Sequence, residues 1–323
     1  MSLKTAQALV AADLAVVEQE MLQKVGGAYP PLAEVLAALI QSGGKRVRPM
    51  LVLLTARFYP GQHHDRLINL AAAVEALHTA TLVHDDVIDG AFLRRGQSTL
   101  NAVWTPDSTI MAGDFFFSRA AALVAETQNP RVISQFAEAL CTIVDGELRQ
   151  AFSARDWSQP KEGYYIRIYG KTAALFELAT QTAAILGDAP AEAEEALRSY
   201  GNNLGMAFQI VDDILDFVAD DETLGKPAGS DLRSGIITLP VYYYIQKPER
   251  RDALMALADG GPSGDEAVAE VVAMIRSSDA IAEARAEAEY FVQQAIEDLS
   301  ILPPAPHRDA LEDIARYVVE REF

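Results

Sequence analysis

The sequence predicts an all-α protein, and three observations carry that expectation. Apolar residues recur at three- and four-residue spacing along almost all of the 323 residues, the mark of amphipathic helices. Strand-like alternation bounded by turn residues is scarce. Glycine and proline cluster at Gly26-Gly27, Pro30-Pro31, 42–44, Pro60-Gly61, Gly96, Pro106, Asn129-Pro130, Pro160, 187–190, 225–229, Pro248, 260–264 and 303–306, cutting the chain into about a dozen helix-sized pieces.

Taken in order, segments 67–83 and 171–185 are apolar on more than one face, as suits central members of a bundle. Segment 263–294 is instead rich in Ala and Glu, strong helix formers with a solvated face. No long linker interrupts the chain, so residues 1–323 are expected to form a single domain. With 50% hydrophobic residues the chain can bury a large core. The net charge of −19 excludes general affinity for nucleic acid or anionic lipid, because its field repels polyanions. An anionic ligand must therefore be captured locally. No stretch reaches the roughly 18 uninterrupted apolar residues of a membrane span, and Met1 to Gln7 lacks an apolar signal core. Neither stable membrane insertion nor export is expected. The lone Cys141 cannot form an intramolecular disulfide, which fits the cytoplasm, and it is expected to be a small buried filler.

Two acidic motifs stand out, Asp85-Asp86-Val87-Ile88-Asp89 and Asp212-Asp213-Ile214-Leu215-Asp216. On a helix, residues i and i+4 share a face, so Asp85 pairs with Asp89 and Asp212 with Asp216. Like charges so placed repel unless a cation lies between them, and hard oxygen donors suit Mg²⁺, which completes its shell with water and phosphate oxygens. Each motif ends an apolar run, 77–83 and 206–211, so the carboxylates are expected to be buried and to need metal for neutralisation. Basic residues are placed to match. Gly43-Gly44-Lys45-Arg46-Val47-Arg48-Pro49 sets cations in the first turn of a helix, where free N–H groups favour an anion. Leu93-Arg94-Arg95-Gly96 follows the first motif, Lys171-Thr172 lies in an apolar helix, and Lys226 follows the second motif. Together they describe two diphosphate sites, one bound through metal and one by Lys and Arg alone.

In this order, with Gly113-Asp114 and Phe208-Gln209-Ile210-Val211 before the second motif, the chain resembles the trans-isoprenyl diphosphate synthases of the polyprenyl synthetase family, of medium- or long-chain type. The resemblance covers about residues 33–239. It implies the isoprenoid synthase fold, a bundle around a central cavity, and a Mg²⁺-dependent, head-to-tail (1'-4) condensation of isopentenyl diphosphate with an allylic prenyl diphosphate. It further implies that Lys45, Arg48, His78 and Arg95 hold the isopentenyl diphosphate. Asp85, Asp89 and Asp212, with Asp216 in support, would carry three Mg²⁺ on the allylic diphosphate, and Arg94, Lys171 and Lys226 would add charge there. Thr172, Gln209 and the Lys171 carbonyl would face the carbon that becomes cationic. A homodimer is the family expectation. Two positions depart from the family pattern: Phe92, which is expected to matter little, and Ile236, which stands where many members carry a basic residue.

In this family the product grows past the turns that precede the first motif, here Ala80 and Thr81, then Leu77 and Val74. Small residues at the first turn predict a product of more than four isoprene units, with a floor set deeper, Phe136 being a candidate. The competing readings are a short-chain farnesyl or geranylgeranyl synthase, a class I terpene cyclase, which needs no second diphosphate pocket, and a noncatalytic partner subunit, which can lose the aspartate motifs that are complete here.

Overall fold

The computed structural model of the chain describes residues 3–25, 29–41, 44–61, 63–94, 97–218, 228–251, 254 and 265–320. Sixteen α-helices occur among them. They are α1 (Leu3–Leu9), α2 (Ala11–Val25), α3 (Pro30–Gln41), α4 (Val47–Ala56), α5 (His64–Ile88), α6 (Leu100–Val103), α7 (Pro106–Ala125), α8 (Pro130–Phe152), α9 (Lys161–Ile168), α10 (Ala174–Leu186), α11 (Ala191–Val218), α12 (Ser230–Arg233), α13 (Leu239–Tyr244), α14 (Asp265–Arg276), α15 (Ala280–Asp298) and α16 (Pro306–Glu320). The all-α expectation holds. Their number exceeds a dozen because α6, α12 and α13 are short helices inside connections. The one sheet among the described residues is a two-residue antiparallel ladder of β1 (Leu93–Arg94) and β2 (Gln97–Ser98). Prolines open α3, α7, α8 and α16, where a missing N–H costs no helical hydrogen bond. Thr105 caps α7 by accepting from the Ser108 N–H at 3.3 Å. The breaks at Gly26-Gly27, 42–43, Gly96, 225–227 and 260–264 lie outside the described residues.

The chain divides into two compact units, one of Met1–Leu140, Leu175–Gly201 and Ile296–Ile314, the other of Cys141–Ala174, Asn202–Ala295 and Ala315–Phe323. In the first, α2, α4 and α7 pack around α5. Helix α5 is long and apolar enough to cross a membrane by length and composition. Here, however, Leu70 to Val74, Ala76, Leu77 and Ala80 are buried by protein neighbours, which makes it a core helix apolar all round. In the second unit, Phe217, Val241, Val271, Val272 and Ile275 form a core under α13 and α14, and α15 buries Ala284, Ala288, Val292 and Ala295 along one face, as its Ala/Glu pattern predicts. Cys141 corrects the sequence reading. It is exposed on α8, on the same face as the exposed Val144, Leu148 and Phe152.

The start of α4 is also sharper than its sequence indicated. Only Arg48 of the three cations lies in the first turn; Lys45 precedes the helix and Arg46 is the N-cap, in the left-handed region at φ 49°. That conformation costs about 1–2 kcal/mol for a residue with a Cβ. The Arg46 side chain supplies compensation: its guanidinium donates to Glu75 at 2.7 Å, to Glu18 at 3.0 Å and to the Ile40 carbonyl. Glu75 is 6% exposed and sits on α5 nearly three turns before the first acidic motif. The pair thus ties the glycine-rich turn to the core helix. Replacing Arg46 with Met should lower unfolding stability by about 3–5 kcal/mol in urea denaturation, because Glu75 is left buried and unpaired, and adding Glu75→Gln should recover part of the loss.

Candidate active site

The first acidic motif forms the last turn of α5. Helical bonding continues to its end, with the Asp89 N–H donating to the Asp85 carbonyl at 2.8 Å, so Asp85 and Asp89 share a face. Asp85 is half-buried and Asp89 exposed. Asp86 lies about 100° further round the helix and points inward, 6% exposed. Its Oδ1 accepts from Arg94 Nε of β1 at 2.8 Å, and its backbone carbonyl accepts from Asn101 at 3.2 Å. Burial raises the Asp86 carboxyl pKa, and Arg94 opposes the rise. His84, one residue earlier, lies 3.0 Å from the Ile110 carbonyl and 3.4 Å from Asp114. Gly113 makes that approach possible, since a Cβ there would fall 2.3 Å from His84 Nε2.

The second motif repeats the division in its first two aspartates but not in its last, since Asp216 is buried where Asp89 is exposed. It lies near the end of α11, with Asp212 exposed, Asp213 3% exposed and Asp216 3% exposed. Asp213 accepts from Gln209 Nε2 and from the Tyr164 hydroxyl, each at 2.8 Å. Burial pushes its pKa up to about 7, Asp231 adds to the rise, and Gln209, Arg167 and Tyr164 oppose it. Burial, with Asp213 beside it, holds the Tyr164 phenol well above its usual range, so the group stays a donor. Asp216 accepts from Ser230 Oγ at 2.7 Å and from the Asp231 N–H at 3.1 Å, and its backbone carbonyl accepts from the Gly229 N–H. The carboxylates are therefore not uniformly buried, as their position after apolar runs suggested. Those turned inward, Asp86, Asp213 and Asp216, are bonded to protein donors, while Asp85, Asp89 and Asp212 keep access to solvent.

Lys171 and Thr172 are not in a regular α-helix but in a π-helical turn, Tyr169–Ala173, between α9 and α10. Such turns turn side chains out of the α-helical register and recur at functional sites. Two glycines hold this one against α8: a Cβ on Gly146 would lie 2.9 Å from the Gly170 backbone, and one on Gly170 would lie 2.8 Å from Gly146. Lys171 Nζ lies 3.1 Å from Glu147, the residue after Gly146. Thr172 Oγ1 donates to Gln209 Oε1 at 2.5 Å, which brings the two expected cation-facing residues together. Ahead of the turn, the buried Arg167 donates to the Ile237 carbonyl at 2.7 Å, fastening the segment that contains Ile236. In the first unit, Arg48 of α4 lies with its guanidinium 4.6 Å from the Phe176 ring centre, His78 of α5 is half-buried, and Lys45 is exposed. Ala80, Leu77 and Val74 are fully buried on α5 and Thr81 is half-buried. Arg95 and Lys226 lie outside the described residues.

The polyprenyl synthetase family model matches residues 29–275. The chain belongs to that family. It is 40% identical over 325 residues to heptaprenyl diphosphate synthase component 2 of Geobacillus stearothermophilus, with 100% of both chains covered. It is 38% identical to the all-trans-nonaprenyl-diphosphate synthase (geranyl-diphosphate specific) of Rhodobacter capsulatus, covering 97% of this chain and 96% of that one. The solved structure of a polyprenyl synthase from Caulobacter crescentus CB15, complexed with calcium and isoprenyl diphosphate, superposes with a TM-score of 0.92 at 35% identity, covering 99% and 98%.

A divalent metal suits the residues that the helical register leaves accessible. Asp85 and Asp89 offer hard oxygens from one face, and both motifs lie in the C-terminal turns of long helices, where the carbonyl ends favour cations. Glu147, Tyr164, Arg167 and the inward role of Asp86 and Asp213 escaped the sequence reading. Tyr164 and Arg167 precede Lys171 by seven and four positions, a helical spacing that could have drawn notice. Since the contact of Gly146 with Gly170 sets the π-turn, Gly146→Ala should shift Lys171 and Thr172 and lower turnover by about 10²-fold in steady-state kinetics, while thermal unfolding stays cooperative.

Proposed function

We propose that the chain catalyses head-to-tail condensation of isopentenyl diphosphate with an allylic prenyl diphosphate, giving an all-trans polyprenyl diphosphate of more than four isoprene units. The observation that carries this is the bonded pair Thr172–Gln209 on and beside a π-turn, in the same unit as the exposed Asp212. Ionisation of the allylic C–O bond leaves a delocalised cation and pyrophosphate. Asp85, Asp89 and Asp212 hold Mg²⁺, three ions in the family reading, which supplies charge to the departing pyrophosphate. Asp216, bonded to Ser230 and Asp231, supports Asp212 by fixing the segment after the motif. Arg94, Lys171 and Lys226 add positive charge at the same diphosphate. Arg94 does so while bonded to Asp86 and Lys171 while beside Glu147, so both carboxylates limit how far these cations reach.

Thr172, Gln209 and the Lys171 carbonyl turn oxygen toward the cationic carbon. Lys45, Arg48, His78 and Arg95 grip the diphosphate of isopentenyl diphosphate, whose double bond attacks that carbon. The proton then lost passes to the released pyrophosphate, because no described side chain is assigned as base. Water is kept out, or the cation would become an alcohol. The small side chains of Ala80 and Thr81 at the turn before the motif support a product path along α5 past Leu77 and Val74. Ala80, Leu77 and Val74 are covered by protein here, so the path opens as their neighbours shift, with deeper side chains, Phe136 among them, setting the floor. The exposed stripe Cys141, Val144, Leu148 and Phe152 on α8 supports pairing with a second copy. The acidic net charge supports an enzyme that binds neither nucleic acid nor anionic membrane stably, and the lone Cys141 fits a cytoplasmic one.

A second reading rests on the name of the Geobacillus relative, heptaprenyl diphosphate synthase component 2, which marks it as one component of an enzyme: this chain would then need another polypeptide for turnover. Product analysis separates the two. Incubated alone with farnesyl diphosphate, excess isopentenyl diphosphate and Mg²⁺, the purified chain is expected to give polyprenyl diphosphates beyond four units by mass spectrometry, and Ala80→Phe should shorten them by at least one unit. No product from the chain alone would favour the two-component reading; unchanged length in Ala80→Phe would reject the path along α5.

A further inference from the structure

We infer that Tyr164 is a positioning residue that, through Asp213, fixes the polarity of the Thr172–Gln209 pair; the inference rests on the condensation reading. The hydrogen bonds run in a defined direction. Tyr164 donates to Asp213 Oδ2 at 2.8 Å, Gln209 Nε2 donates to Asp213 Oδ1 at 2.8 Å, and Thr172 Oγ1 donates to Gln209 Oε1 at 2.5 Å. A carboxamide can sit in such a place in two orientations related by a half turn, with its oxygen and its NH₂ exchanged. With Gln209 turned over, its carbonyl would oppose Asp213 Oδ1, which accepts in this structure, so that acceptor would meet acceptor in a buried setting. Asp213 therefore selects the orientation that sends Oε1 toward Thr172.

That choice decides what a cation meets. With the Thr172 proton committed to Oε1, the remaining lone pairs of both oxygens are left to face positive charge. In the opposite orientation the amide would donate to Thr172, and the hydroxyl would be released to point its proton outward, a dipole of the wrong sign. In a site shielded from water the sign of a fixed dipole matters as much as its presence. Asp213 keeps this role only if its second oxygen is satisfied where it lies. Tyr164 does that from a ring that is 3% exposed. The neighbouring Arg167 is occupied otherwise, donating to the Ile237 carbonyl with its guanidinium 5.3 Å from the Tyr164 ring centre. Without the phenol hydroxyl, Asp213 must rotate to recover a donor, and Gln209 loses the partner that orients it.

The test compares wild type with Tyr164→Phe in kinetics and in calorimetric binding of a prenyl analogue that carries an ammonium group at the cationic carbon, with Mg²⁺ and pyrophosphate present. Expected are a fall in kcat of about tenfold or more, KM for both diphosphates within about twofold of wild type, and a loss of ammonium-analogue affinity of about tenfold or more. Asp213→Asn provides the second variant, with the same split expected and the Mg²⁺ concentration for half-maximal activity unchanged within about twofold. Unchanged kcat and analogue affinity in a folded variant would overturn the inference, as would a rise in KM that accounts for the whole loss. If wild type forms no condensation product, the functional reading fails by itself, and the analogue-binding comparison still decides the polarity of the pair.

Discussion

Adjacent residues on an α-helix point about 100° apart, and that geometry governs both acidic motifs of this chain. In each motif the packed side of the helix covers part of that arc, so the two consecutive aspartates differ in exposure. One turns into the protein, where an unbonded carboxylate would cost several kcal/mol (roughly, for a group denied both water and partner), and the fold supplies a donor for it. In the first unit that donor is Arg94, delivered by the two-residue ladder after α5; in the second it is Tyr164, with Gln209 one turn before Asp213. The inward aspartates are held by protein donors, and Asp85, Asp89 and Asp212 keep access to solvent.

This division explains why residues beside the motifs are as constrained as the motifs themselves. Asp86 is fixed from β1 and from Asn101, so the turn after α5 is tied to the helix that carries Asp85 and Asp89. Asp216 bonds Ser230 and the Asp231 N–H, so the chain beyond the second motif returns to α11. Arg167 fastens the backbone at Ile237. The chain thus uses a buried arginine from α9 to hold the segment around Ile236. Glycines act at equal range: Gly113 admits His84, and Gly146 with Gly170 lets α8 touch the π-turn that carries Lys171 and Thr172.

Much of this was legible in sequence. Helical periodicity gave the all-α class, prolines marked the starts of α3, α7, α8 and α16, and the spacing of Asp85 and Asp89 placed them on one face. Burial was misread because apolar runs such as 77–83 say that a helix is buried but not which side of its last turn remains open. Cys141 was misplaced for a related reason: the average burial of free cysteine does not report the face of α8 on which it falls. The π-turn is not visible in sequence because Tyr169–Ala173 has no composition that separates it from a continuous helix; the close approach of Gly146, 24 positions before Gly170, is a tertiary fact. Arg46 stands among three cations at the glycine-rich turn, and the sequence does not show that its guanidinium is engaged by Glu75 and Glu18.

The division between anchoring and accessible carboxylates is tested most directly by calorimetric titration of an unreactive allylic diphosphate analogue, with Mg²⁺, into Asp86→Asn and Asp89→Asn, each paired with a urea unfolding curve. The account predicts that Asp89→Asn loses about tenfold or more in Mg²⁺-dependent affinity with its stability intact, whereas folded Asp86→Asn keeps its affinity within a few-fold and loses about 1–3 kcal/mol of stability. Equal loss of affinity in both variants, with no loss of stability in Asp86→Asn, would contradict it.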